Sequence, residues 1–164
     1  VILSTIANIT RSIPYAILML SLIPFTRWLT GSSVGPIAAC VSLTIGAVPF
    51  FARLVESGLR DVQPGKVDAA HAMGSTRMQT VTKVLLPEAA PSLIAAVTTT
   101  VVTLVGYSAM AGLIGGGGLG RLAYNYGYQR FETSVQLITI VILVGMVQLI
   151  QMLGDVVIRR VDHR

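Results

Sequence analysis

Side chains able to do bond chemistry are sparse in this sequence, and they do not gather. His71 and His163 lie in different segments without further ligands beside them, so each reads as a solvated polar side chain rather than a metal ligand. Cys40 is the single cysteine, which excludes an internal disulfide and a thiolate metal cluster. Within an apolar run it reads as a small packing residue. The run "GGGGLG", Gly115 to Gly120, satisfies G-x-G-x-x-G. A dinucleotide site needs that pattern between a strand and a helix, and here it follows a long apolar stretch. No G-x-x-x-x-G-K-[ST] occurs, so the chain has no phosphate-binding loop of its own. The remaining concentration of polar side chains is "VDAAHAMGSTRMQTVTKVLLPEAAP", residues 67–91. Its chemistry is recognition.

The spacing within this stretch predicts a two-helix elbow. Pro64-Gly65 starts a turn, and residues 66–73 read as a short alanine-rich helix containing Lys66, Asp68 and Met73. Gly74 supplies the left-handed position that ends such a helix at little steric cost. Thr76 and Gln79 form a T-x-x-Q capping box for a second short helix, which runs through Val81 and Val84 to Leu86-Pro87. With Ala69, Ala70 and Ala72 on the first helix, the elbow is a low-relief knob that a groove on a partner can receive. A structured loop that merely connects two spans is the plainer alternative.

The elements that must position this knob are apolar. The chain is 53% hydrophobic and 12% charged, about half the charge of a soluble domain. No Asp, Glu, Lys or Arg occurs in residues 12–26, 28–52, 89–120 or 133–154. A helix crosses a bilayer with roughly 20 apolar residues, and 164 residues leave too little polar surface to enclose four such runs. The expected fold is all-α, a polytopic membrane protein with four spans near residues 13–28, 37–59, 92–114 and 134–157. The first extends back through residues 1–10, and Pro14 and Pro24 kink it or mark its ends. Ala38, Ser42 and Gly46 recur every four residues on the second, which suits close helix approach in lipid. The glycine-rich segment with Tyr124, Tyr126 and Tyr128 is expected as an outer loop at the headgroup level.

Charge fixes the orientation. The net +5 is not laid out as a nucleic-acid stripe. Arg11, Arg53, Arg60, Lys66, Arg77, Lys83, Arg159, Arg160 and Arg164 fall on one side, and Arg27, Arg121 and Arg130 on the other. The positive-inside rule puts the first group in the cytoplasm, with the knob. No ionisable side chain sits mid-span in the last three spans, unlike most ion-coupled carriers. On the third, Thr99, Thr103, Gly106 and Met110 share a narrow helical face. They either line a polar path plugged by Met110, or bond back to their own helix and pack. Tyr107 and Ser108 are secondary candidates.

The spacing Asp68-Ala69-Ala70, three residues, Gly74, nine residues, Val84-x-Leu86-Pro87 resembles the EAA signature of binding-protein-dependent ABC importer permeases. Asp68 stands for the signature's Glu, and Val84 for its Ile. "RSIP" at 11–14, "IPFTR" at 23–27 and "LVGYSAM" before the glycine run narrow the resemblance to methionine importer permeases, over essentially the whole chain. The resemblance implies one permease domain over 1–164 in a bacterial inner membrane, with residues 61–87 as its coupling loop. Lys66, Asp68, Ala69, Ala70, Met73, Gly74, Thr76, Leu86 and Pro87 would couple to an ATPase. The family core has five spans, so the first span is expected to be missing here. The resemblance further implies a second permease copy, two cytoplasmic ATPase subunits carrying ATP and Mg, and an outer substrate-binding lipoprotein, with no cofactor on this chain. Permeases for other amino acids, phosphonates or betaines share the signature. An ion-coupled carrier and a membrane scaffold without transport are the readings from other classes.

Overall fold

The computed structural model describes residues 13–161, and of Ile114 only the backbone. Arg11, the backward extension through residues 1–10, His163 and Arg164 lie outside the described residues. Every element found among the described residues is helical, and three helices are long and apolar enough to cross a membrane: Pro36–Arg60, Arg77–Ala111 and Thr133–Val161. Each buries only 11% of its most apolar window inside the chain. So little burial leaves most of the apolar surface for lipid or for other subunits.

The described part of the expected first span is two short helices, α1 (Tyr15–Ser21) and α2 (Ile23–Thr30), with the break next to Pro24, where a kink was expected. Leu22, at φ −85° and ψ −2°, separates them, and Pro24 sits in the first turn of α2. Proline is at home in a first turn, where its missing N–H costs nothing. Gly31, at φ +75°, ends α2 in the left-handed conformation and donates its N–H to the Arg27 carbonyl. Helix α3 (Pro36–Arg60) also opens on a proline and carries Pro49 inside.

The small-residue stripe of α3 receives α1. Ala38 and Ser42 are buried, a Cβ on Gly46 would lie 3.5 Å from the Tyr15 ring, and the Tyr15 hydroxyl lies 3.2 Å from Ser42 Oγ. Cys40, one helix face away, is exposed and does not pack inside the chain as expected. Past Pro49, Glu56 accepts from Arg53 at 2.8 Å and from Arg60 at 2.6 Å, so that turn carries its charge in pairs.

The third apolar run departs from expectation at both ends. The helix after the knob does not stop at Leu86-Pro87. Helix α5 (Arg77–Thr80) passes through a π-turn, Val81–Leu85, directly into α6 (Leu86–Ala111). The Leu86 N–H reaches back to the Val81 carbonyl, five residues away. A wide turn placed just before Pro87 absorbs a residue that would break a regular helix interior, because the proline then falls in the first turn of the next segment. Leu86-Pro87 is therefore a joint inside a 35-residue helix.

The glycine run is not an open loop. It forms a π-turn, Gly112–Gly116, then α7 (Gly118–Leu122) and a second π-turn, Ala123–Tyr128. It folds back on the end of α6 at contact distances that only glycine allows: a Cβ on Gly120 would land inside the Ala109 carbonyl. The last helix, α8 (Thr133–Val161), packs along α6, where Gly154 faces the Thr98 side chain with no room for a Cβ. Thr139 of α8 is fully buried and donates to the Val135 carbonyl at 2.8 Å.

Candidate coupling site

The knob is a rigid elbow. Helix α4 (Pro64–Ala72) opens on Pro64 and Gly65 and ends at Gly74, whose φ of +77° is the left-handed conformation. The Gly74 N–H donates to the His71 carbonyl and the Ser75 N–H to the Ala70 carbonyl. The second arm starts with a complete capping box. Gln79 N–H donates to Thr76 Oγ1 at 3.3 Å, and Thr76 N–H donates to Gln79 Oε1 at 2.9 Å. The hydroxyls of Ser75 and Thr80 lie 2.8 Å apart across the inside of the bend.

The elbow has an inside and an outside. Val62, Ala70 and Thr80 are buried. Lys66, Asp68, Ala69, Met73, Gly74 and Thr76 are exposed, as are Leu86 and Pro87 further on. Ala70 therefore packs inside the elbow, with its side chain turned away from the outer surface that Ala69 shares. An alanine at i+1 of another alanine points about 100° away around the helix, and sequence alone could not say which of Ala69 and Ala70 faced inward. Met73 and Met78 stand out at the bend, 82% and 71% exposed. Two unbranched thioether side chains projecting from a helical elbow suit a partner groove of irregular shape. Met78 was not singled out from the sequence, where it reads as one more apolar residue of the second helix.

The other residue missed was Glu88. It accepts a charged hydrogen bond from Lys66, 22 residues earlier, joining the start of α4 to the first turn of α6. No local pattern signals such a pair, because its partners become neighbours only when the chain bends at Gly74.

The pathway candidates divide. Thr99, Gly106 and Met110 are exposed on α6 and Thr103 half-buried on the same face. The Thr103 hydroxyl donates to the Thr99 carbonyl at 2.8 Å, so its proton is turned toward the helix. Tyr107 is half-buried beside this face. Its ring stacks on Tyr15 at 4.3 Å and 3°, which makes it part of the junction between α1 and α6. Ser108 is exposed and donates to the Val105 carbonyl. No group of three or more His, Cys, Asp or Glu able to hold a metal ion is found among the described residues.

Long apolar helices with a small polar elbow between two of them define a multi-pass membrane component. The chain belongs to the binding-protein-dependent transport system inner membrane component family, which matches residues 1–164. It is 52% identical over 162 residues to a protein of Vibrio cholerae described as a probable D-methionine transport system permease, covering 99% of this chain and 72% of that one. It is 44% identical over 163 residues to a methionine import system permease of Bacillus subtilis, covering 99% and 73%. A solved structure described as an inward-facing conformation of the MetNI methionine ABC transporter superposes with a TM-score of 0.94 at 52% identity, over 98% of this chain and 74% of that one. An amino acid ABC transporter solved with histidines shares the fold at a TM-score of 0.82 and 23% identity.

Proposed function

We propose that this chain is the membrane-spanning subunit of an ATP-driven methionine importer. The observation that carries the reading is the chain-long likeness to the methionine transporter structure and to methionine permeases from two distant bacteria. In this reading, one permease domain spans 1–164, and residues 61–87 are its coupling loop. Two copies enclose the pathway, and the exposed face of α6 bearing Thr99, Thr103, Gly106 and Met110 meets its counterpart or the substrate. Two ATPase subunits hold ATP and Mg and receive the elbow through Asp68, Ala69, Met73 and Met78. A lipid-anchored binding protein delivers substrate on the outer side.

The mechanism follows from the elbow's stiffness. A partner that shifts on nucleotide binding moves the transporter only if the contact differs in free energy between its states. The contact must also not be absorbed by bending. Gly74, the capping box and the Ser75–Thr80 contact restrict bending at the elbow, so a push on α4 is passed to the long helix behind it. Uptake of labelled methionine, competed by other amino acids, in cells expressing the complete complex tests the function. Saturable uptake blocked only by methionine supports the reading, and equal competition by unrelated amino acids overturns the substrate.

A further inference from the structure

The helix α4 is tied to the long helix at both of its ends, and the ties straddle that helix's π-turn. Its C-terminal end is held through Gly74 and the Ser75–Thr80 hydroxyl contact. Its N-terminal end is held by Lys66 on Glu88. Thr80 and Glu88 are eight residues apart, about 12 Å along a helix. Between them lie the π-turn Val81–Leu85 and Pro87, where regular helical hydrogen bonding is interrupted.

We infer that the Lys66–Glu88 pair is a strut that makes α4 and the start of α6 move as one body. With the hinge-side tie alone, a push on the stiff elbow would be absorbed at the π-turn behind it. The second tie closes a triangle around the π-turn, and a triangle holds its angle. The pair is partly exposed, with 44% of the Lys66 side chain and 24% of the Glu88 side chain accessible. Exposed ion pairs add little to overall stability, so what the pair supplies is direction. Lys66 and Glu88 are positioning residues in this account.

The inference rests on the coupling reading of the elbow, and its structural half can be tested without any substrate. Hydrogen exchange of residues 81–86 is followed by mass spectrometry in the complete detergent-solubilised complex. Lys66→Met and Glu88→Gln should each speed exchange there about two- to fivefold, the change in open population that an exposed pair of ordinary strength commands. The charge-exchanged double variant Lys66→Glu/Glu88→Lys should return it toward the original rate. In proteoliposomes the single variants should raise the ATP hydrolysed per methionine moved, again about two- to fivefold, and the double variant should recover. Unchanged exchange in both single variants, or single defects that the double variant does not relieve, overturns the strut. Faster exchange with an unchanged ATP ratio overturns its part in coupling. If the unmodified complex moves no methionine, the substrate reading falls, and the exchange measurement still decides the strut.

Discussion

Gly74 shows how a single residue's backbone sets the elbow. A Cβ there would meet nothing within 4 Å, so a side chain is opposed only by the positive φ. Gly74→Val should therefore introduce about 1–3 kcal/mol of local strain. ATP hydrolysis should continue while methionine uptake falls, as parallel assays on one proteoliposome preparation would reveal. Gly74→Asn, which tolerates the left-handed region, should retain most uptake. Ala70 and Ala69 make a second contrast. Ala70 is buried, so Ala70→Trp should overpack the elbow by about 1–3 kcal/mol and lower the melting temperature of the permease even without its ATPase. Ala69 is exposed. Ala69→Trp should leave that melting temperature in place and weaken ATPase binding in a pull-down titration.

At the scale of elements, membrane helices have no hydrophobic drive toward one another, and their association depends on close packing. Glycines placed where another helix crosses mark those sites. Gly154 of α8 meets Thr98 of α6, Gly58 of α3 meets Ser92, and Gly127 of the π-turn Ala123–Tyr128 meets Gln136 of α8. Gly145 of α8 has nothing within 4 Å. Gly154→Leu should separate α6 from α8 and cost about 1–3 kcal/mol, while Gly145→Leu should be nearly silent in the isolated chain. Thermal unfolding of the detergent-solubilised protein distinguishes the two, and equal melting temperatures would contradict the packing described. If Gly145→Leu instead disrupts only the assembled complex, that face of α8 meets another subunit.

For the whole molecule, the exposed face of α6 matters most. Met110 is 41% exposed in the chain. Truncating it leaves a smaller void than the fully buried Met→Ala changes that cost about 2–5 kcal/mol. If Met110 plugs the pathway of the assembled transporter, Met110→Ala should leave the melting temperature of the single chain nearly unchanged. Passive methionine efflux from proteoliposomes, or ATP turnover without the binding protein, should then rise. A large loss of stability with a tight membrane would make this face a packing surface.

The all-helical membrane class and the bend at Gly74 were both legible in the sequence. Each depends on local composition or backbone sterics: charge-free length, and a residue without a Cβ after an alanine-rich turn. Local signals also placed the capping box at Thr76 and Gln79, because its partners are three residues apart. What they could not resolve was how successive helices join and which faces meet. Proline reads as a stop, but a π-turn before Pro87 carries the helix onward to Ala111. Four glycines in a row read as a loop, but Gly115, Gly117 and Gly118 turn the backbone at positive φ and Gly120 closes against Ala109 of α6. Nothing local to Tyr107 signals that its ring stacks on Tyr15, 92 residues earlier. The Lys66–Glu88 pair exists only because the chain doubles back. Such contacts depend on chain crossings far apart in sequence, so only the tertiary structure decided them.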